Sequence, residues 1–170
     1  MDAAPNQAHG NKMGKPIKNP IAKVSQLIRC PVTDAFDAFV DPGRITQFWL
    51  TATSAPLIEG ADATWQFMVP GATERTRVTE SKRPHRIAFD WSDGTSVRLD
   101  FEEPRAGETQ VAVEVTGFAG GDAVEQALNA TEGFAIVLCD LKTLLESGRS
   151  ANLVRDKARL IVESAEAPKA

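Results

Sequence analysis

Histidine, cysteine and paired carboxylates are the side chains that most often carry chemistry near neutral pH, and this chain has few of them in promising places. It holds two histidines, His9 and His85. His9 stands in a polar N-terminal stretch, and His85 follows a proline in the turn-forming run Lys82-Arg83-Pro84-His85. Both read as solvated residues rather than general bases. The two cysteines, Cys30 and Cys139, lie far apart in apolar surroundings and read as reduced, buried thiols of a cytoplasmic protein. No cysteine–histidine spacing suggests zinc, so no metal is expected. No nucleophile elbow, P-loop, dinucleotide glycine fingerprint or metalloprotease helix occurs, so no cofactor is implied. Gly117, Gly120 and Gly121 around Phe118 lack the strand-then-helix geometry of a phosphate cradle and read as a flexible approach, and a candidate gate, to the helix that follows.

The carboxylates Glu102, Glu103, Asp90 and Asp93 fall at strand ends, where solvated surface is the default. More informative are polar residues whose parity along a strand aims them inward. On the strand Glu74 to Glu80, Thr76 shares parity with Val78, as do Glu74 and Glu80, while Arg75 and Arg77 face out. An inward Glu74 or Thr76 would orient a polar group of a ligand, since pockets use few, well-placed polar contacts. A one-residue slip in register would exchange the two sets.

The elements that must position these residues begin at Ile21 to Arg29, which reads as a strand. Pro31 ends it and opens a short helix, Val32 to Val40, with Val32, Phe36, Phe39 and Val40 inward. Asp41-Pro42-Gly43 reads as a turn and Arg44 to Trp49 as a second short helix. The period then changes from 3.6 to 2. Trp65, Phe67 and Val69 alternate with Thr64, Gln66 and Met68; Pro70-Gly71 turns the chain into the Glu74 to Glu80 strand. Ile87, Phe89 and Trp91 share a face, Ser92-Asp93-Gly94 carries a hairpin signal, Val97, Leu99 and Phe101 alternate with polar residues, and after a turn at Pro104 to Gly107 so do Val111, Val113 and Val115. This is an antiparallel meander with one apolar and one wet face.

Asp122 to Ser147 is the strongest helical signal. Ala127, Thr131, Phe134, Leu138, Leu141 and Leu145 recur at helical spacing, with Val124, Val137 and Leu144 widening the stripe; Glu125, Asn129, Glu132, Asp140, Lys142 and Glu146 stand opposite. Asp122 with Glu125 resembles a capping box, and Gly148 suits a left-handed end. A helix of about 25 residues spans about 37 Å and needs a broad surface to lie on, which the apolar face of a twisted sheet supplies. The fold class is therefore α+β. Residues 1–19 read as a disordered tail, with Met13 an alternative start, residues 20–155 as one domain and 156–170 as a C-terminal tail; Ala151 to Val162 is open between strand and short helix. The net charge of -4 with interspersed signs argues against a nucleic-acid partner, and no apolar run approaches the roughly 18 residues of a membrane span.

Four pieces of the chain resemble the helix-grip, START-like superfamily often labelled SRPBCC, and within it the group similar to the C-terminal domain of the activator of the heat-shock-protein-90 ATPase. Pro31-Val-Thr-Asp-Ala-Phe-Asp-Ala-Phe-Val-Asp-Pro42 resembles the family's first helix, and Ile45-Thr-Gln-Phe-Trp49 the aromatic pair ending its second. Val78 to Trp91 is similar to its strand, proline turn and aromatic-ended strand. Glu132 to Gly148 resembles the start and Leu-x-x-Leu continuation of its last helix, with Phe134, like Phe36, where the family often has Trp. The likeness spans roughly residues 21 to 155.

The resemblance implies a helix-grip (START/Bet v-like) fold, a curved antiparallel sheet wrapped around the long C-terminal helix, with two short helices after the first strand. It also implies a hydrophobic cavity between sheet and helix. An aromatic stripe on a sheet is by default core; only the resemblance turns it into a cavity lining of Trp49, Trp65, Phe67, Thr76, Val78, Phe89, Trp91, Leu99, Phe101, Phe134 and Leu138. The first functional expectation is a non-enzymatic binder of a small apolar or amphipathic molecule, monomeric or homodimeric, with no catalytic residue. A second is a chaperone co-factor in a stress-response setting, although with only about 20 residues before the fold the activator's separate N-terminal domain is missing. A third is an enzyme of the polyketide cyclase or aromatase type, whose acid or base would come from Glu74, Glu80 or Asp90.

Overall fold

The computed structural model describes residues 19–167. The expected tail over 1–19, with His9 and Met13, lies outside them but for its last residue. In chain order the elements are β1 (Ala22–Ile28), α1 (Val32–Val40), α2 (Pro42–Ile45), β2 (Leu50–Thr53), β3 (Asp62–Phe67), β4 (Thr73–Lys82), β5 (Arg86–Trp91), β6 (Ser96–Arg105), β7 (Glu108–Thr116), α3 (Ala123–Ser147) and α4 (Leu153–Glu166). Among the described residues, seven strands form one antiparallel sheet in the order β1-β7-β6-β5-β4-β3-β2. The meander from β2 to β7 thus runs neighbour to neighbour, and β1 returns from the start of the chain to pair with β7. The curved sheet holds the long helix α3 against β1 and β7, and α1 packs on β6 and β7. This is the α+β helix-grip arrangement.

Alternation along each strand builds the inner face. Val97 pairs across with Val115, Leu99 with Val113 and Phe101 with Val111, while Phe89 faces both Val78 and Val97. All are buried, and each such aliphatic or aromatic side chain contributes about 1.5–3 kcal/mol on leaving water. From α3, Phe134, Leu138 and Leu141 close onto this face, and from α1, Phe36 and Phe39 meet Phe101 edge to face. The outer face is wet and charged: Lys23, Glu114, Arg98, Asp100 and Arg86 form a ladder of ion pairs across β1, β7, β6 and β5.

Several local expectations change for identifiable reasons. The second short helix starts at Pro42, not Arg44, because the Asp41 carboxylate accepts from the backbone N–H groups of Gly43 and Arg44 and caps it there. Strand β2 was not read from the sequence, and β6 runs through Pro104 to Arg105 past an irregularity after Glu102. A bulge between Val78 and Glu80 places Glu80 opposite Ala88 and Ser81 opposite the buried Ile87. That extra residue breaks the parity, so Thr76 and Val78 are inward and Glu80 is not. The capping box at α3 is absent: the Asp122 carboxylate receives the Gln126 side chain at 2.8 Å instead. Gly148 ends the helix with φ 77° as expected.

Two changes concern the far end of α3. Asp140, expected on the solvent face, is fully buried. Its carboxylate accepts from Ser150 Oγ at 2.6 Å and from the backbone N–H groups of Ala151 at 3.1 Å and Val154 at 3.3 Å. The segment left open between strand and helix is α4, running on through residue 155, and Asp140 fastens its first turn to α3. In the glycine segment before α3, Gly117 has φ 91°, and a Cβ there would lie 2.6 Å from the Gly94 carbonyl oxygen, a close approach that only glycine allows. Phe118 beside it is buried.

Candidate functional site

A cavity of about 300 Å³ lies where α3, α4 and the β3–β4 turn meet, at the small end of the range for ligand pockets. Trp49 enters from the turn after α2. Phe67, Met68, Val69 and Ala72 come from the end of β3 and the turn beyond it, and Trp91 from the end of β5. The helix α3 contributes Ala130, Gly133, Phe134, Ile136 and Val137, and α4 contributes Val154, Lys157, Ala158 and Ile161. The wall owes its shape to aromatic packing. Trp91 and Phe134 stack with centroids 5.9 Å apart and planes 15° apart, and Trp49 meets Phe134 edge to face at 5.5 Å. At Gly133 a methyl group would meet nothing within 4 Å beyond its own turn of helix, so this glycine leaves open space in the helical wall.

The polar side-chain groups on the wall are few. The Trp91 ring lines the cavity, but its indole N–H does not open onto it: that group is buried without a hydrogen-bond partner among the described residues, as are the Trp65 N–H and the Thr76 hydroxyl. Thr76 sits directly across from Trp91 in the sheet, and the Trp65 and Trp91 rings lie 6.3 Å apart. Lys157 is the charged residue of the lining, and its ammonium donates to Glu132 at 2.7 Å. No carboxylate, imidazole, hydroxyl or thiol lines the cavity among the described residues.

Of the residues expected at the site, Trp49, Phe67, Trp91 and Phe134 come together on the cavity wall. Trp65, Thr76, Val78, Phe89, Leu99, Phe101 and Leu138 are packed inside, each at most 1% exposed. The cavity is thus offset from the centre of the sheet–helix interface toward the end that α4 covers. The turn residues Met68, Val69 and Ala72 and the whole contribution of α4 were not anticipated; Val154, Ala158 and Ile161 recur at helical spacing and were the available signal.

None of the three carboxylates considered for acid–base work reaches the cavity. Glu74 accepts from the backbone N–H of Arg75 at 2.8 Å and from Ser92 through N–H and hydroxyl at 3.0 and 2.6 Å. Glu80 pairs with Lys82, and Asp90 accepts from Ser96 at 2.6 Å on the outer face. The shifted acidities lie elsewhere too. The Arg83 guanidinium, bonded to Asp37 through two 2.8 Å contacts, holds that carboxyl below its usual value. Hydrogen bonds from Lys142 and then the Arg29 N–H do the same for Glu146, and Lys23 for Glu114. Burial pushes the Cys30 thiol up.

Residues 29–146 match the family described as Activator of Hsp90 ATPase homolog 1-like protein. No curated protein gives a significant match. Among solved structures, protein SSP2350 from Staphylococcus saprophyticus is similar at 29% identity and a TM-score of 0.69, covering 77% of this chain and 95% of its own. The Aha1 dimer from Colwellia psychrerythraea is similar at 15% identity and a TM-score of 0.69, with 77% and 99% covered. CalU16 from Micromonospora echinospora, at 14% identity and a TM-score of 0.60, covers 90% of this chain and 100% of its own. The last two speak for the fold alone.

Proposed function

Because the chain belongs to the Activator of Hsp90 ATPase homolog 1-like protein family, within the SRPBCC, START-like superfamily, we propose that it is a binding protein for a small apolar or amphipathic molecule, held in the cavity between α3, α4 and the β3–β4 turn. The observation that carries this reading is the cavity itself, walled by Trp49, Phe67, Trp91 and Phe134, with Lys157 the one ionisable side chain of its lining among the described residues and that one already donating to Glu132. Binding by shape and apolar contact needs only such a wall, whereas acyl or proton-transfer chemistry needs a positioned nucleophile, acid or base. A water occupies about 30 Å³, so the cavity holds on the order of ten to fifteen non-hydrogen atoms, a ligand of on the order of 200 daltons.

Native mass spectrometry of protein purified gently from its host tests the reading. A reproducible adduct of that size, lost on denaturation and absent from a Gly133→Leu variant whose side chain fills the cavity, is the expected result. A bare chain that also fails to bind any candidate hydrophobic molecule by tryptophan fluorescence would end it. The family assignment and the likeness to an Aha1 dimer favour a second reading, action on a chaperone ATPase, with this chain working as a monomer or homodimer. An unchanged ATP turnover of purified chaperone on adding the protein disposes of that one.

A further inference from the structure

Isolated exposed apolar side chains are ordinary on a protein surface, whereas a contiguous group rimmed by charge marks a contact. Such a group lies along one edge of the α3–α4 pair. The two helices run antiparallel: Asp140 of α3 accepts from the start of α4, and Glu132, earlier in α3, pairs with Lys157, further along α4. One turn before Glu132 on the same face of α3 stands Leu128, and one turn before that Val124; one turn beyond Lys157 on α4 stand Leu160 and Ile161. In that order the four side chains are 65%, 50%, 53% and 46% exposed, which leaves an apolar edge across both helices open to solvent.

The charges around this edge are sorted by end. Asp122 and Glu125 at the start of α3 join Glu163 and Glu166 at the end of α4, and residues 119–131 and 160–167 hold no lysine or arginine. The first half of α4 instead carries Arg155, Lys157 and Arg159, with Asp156 the acid among them. Among the described residues Arg155, Glu125 and Glu166 form no salt bridge, and Arg159 reaches Glu163 only at 3.7 Å with both side chains mostly exposed. A patch with an acidic end and a basic end is complementary to itself after a two-fold rotation. We infer that this edge is where a second copy of the chain docks. Val124, Leu128, Leu160 and Ile161 meet their counterparts about a two-fold axis, and Arg155 and Arg159 of each copy lie alongside Glu163 and Glu166 of the other. A uniformly charged partner would meet like charge at one end, which two-fold pairing avoids. Four apolar side chains from each copy make a contact at the small end of the interface range, so the dimer dissociates at about 1–100 µM.

Sedimentation equilibrium of the full chain between about 1 and 500 µM reads the inference. The mass is expected to rise from 18.3 kDa toward twice that value, and to rise less in high salt. Leu128→Gln with Leu160→Gln, at exposed positions that the fold does not need, weakens association about tenfold or more. Arg155→Glu with Arg159→Glu makes both ends acidic, and Glu163→Arg with Glu166→Arg makes both basic. Each pair of changes weakens self-association by a similar factor of about ten, and mixing the two variants restores a dimer. A chain that keeps its own mass at about 500 µM leaves the edge to a different protein and overturns the inference. Association that the leucine changes leave untouched puts the contact elsewhere and overturns it too. Charge variants that stay apart when mixed overturn the two-fold pairing of ends.

Discussion

Asp140 makes the sharpest stability prediction. It is a fully buried carboxylate on α3 whose oxygens receive Ser150 Oγ, the Ala151 N–H and the Val154 N–H, with Thr143 Oγ1 a weaker contact at 3.4 Å. Intramolecular hydrogen bonds contribute about 0.5–1.5 kcal/mol net each, about 2–4 kcal/mol for three together, and a buried donor left alone costs about 1–3 kcal/mol. Ala151 is exposed, so water replaces part of what is lost there. Asp140→Ala is therefore expected to destabilise the protein by about 2–4 kcal/mol, and Asp140→Asn, which keeps one accepting oxygen, by about half that. Urea unfolding followed by tryptophan fluorescence gives the totals. Amide exchange adds location: protection of Val154 to Ile161 should fall further than that of β6 and β7, because Asp140 fastens α4 and not the sheet. A loss within about 0.5 kcal/mol for Asp140→Ala, the range of neutral surface changes, would refute the assignment of Asp140 as the fastening of the α3–α4 corner.

Three further outcomes can be measured on the same footing. Phe39→Ala, removing a ring packed edge to face on Phe48, Trp49 and Phe101, should cost about 3–5 kcal/mol, whereas Phe134→Ala should cost about 1–3 kcal/mol because its ring already faces a cavity; equal losses in urea titration would contradict the cavity. Gly133→Ala should stabilise by about 0.5–1 kcal/mol, since the added methyl group meets open space and favours the helix, while Gly117→Ala, whose Cβ would strike the Gly94 carbonyl oxygen, should cost more than about 1 kcal/mol. The carboxyls of Asp37, Glu114 and Glu146 titrate below their ordinary values because of Arg83, Lys23 and Lys142 respectively. Groups depressed in the folded state stabilise it above the unfolded carboxylate value near about 4 and lose that contribution as pH falls through the folded values. The urea midpoint should accordingly fall below about pH 4, more gently in high salt because the pairs are exposed, and a flat profile would contradict these pairings.

Much of this architecture was legible because one sheet face is wet. Val97, Leu99 and Phe101 alternate with polar neighbours, as do Val111, Val113 and Val115, and that period can only be a strand with one buried side. The long helix was legible by its stripe, yet α4 and Asp140 were not, for one shared reason. A charged residue on a helix reads as solvated unless its partners are known, and here they are the backbone N–H groups of a segment whose own helix is marked by charged residues such as Arg155, Asp156 and Arg159. Strand β2, Leu50–Thr53, alternates over only four residues, too short a run to stand out. The bulge after Val78 leaves no mark in sequence, so Glu80 seemed inward. Of the site, the aromatic half was visible as Trp49, Phe67, Trp91 and Phe134. The half from Met68, Val69 and α4 was not, because it arises only when α4 folds back over α3.

Whether a ligand sits in this composite cavity is read from the indole and backbone amide resonances in a nitrogen-15 correlation spectrum titrated with 2-naphthoate. A ligand in the cavity shifts the Trp91 and Trp49 indoles and the amides along Gly133 to Val137 and Val154 to Ile161, and Gly133→Leu abolishes all of these shifts. Shifts confined to the outer sheet face around Arg75, Arg77 and Asp90, or unchanged by Gly133→Leu, would contradict it.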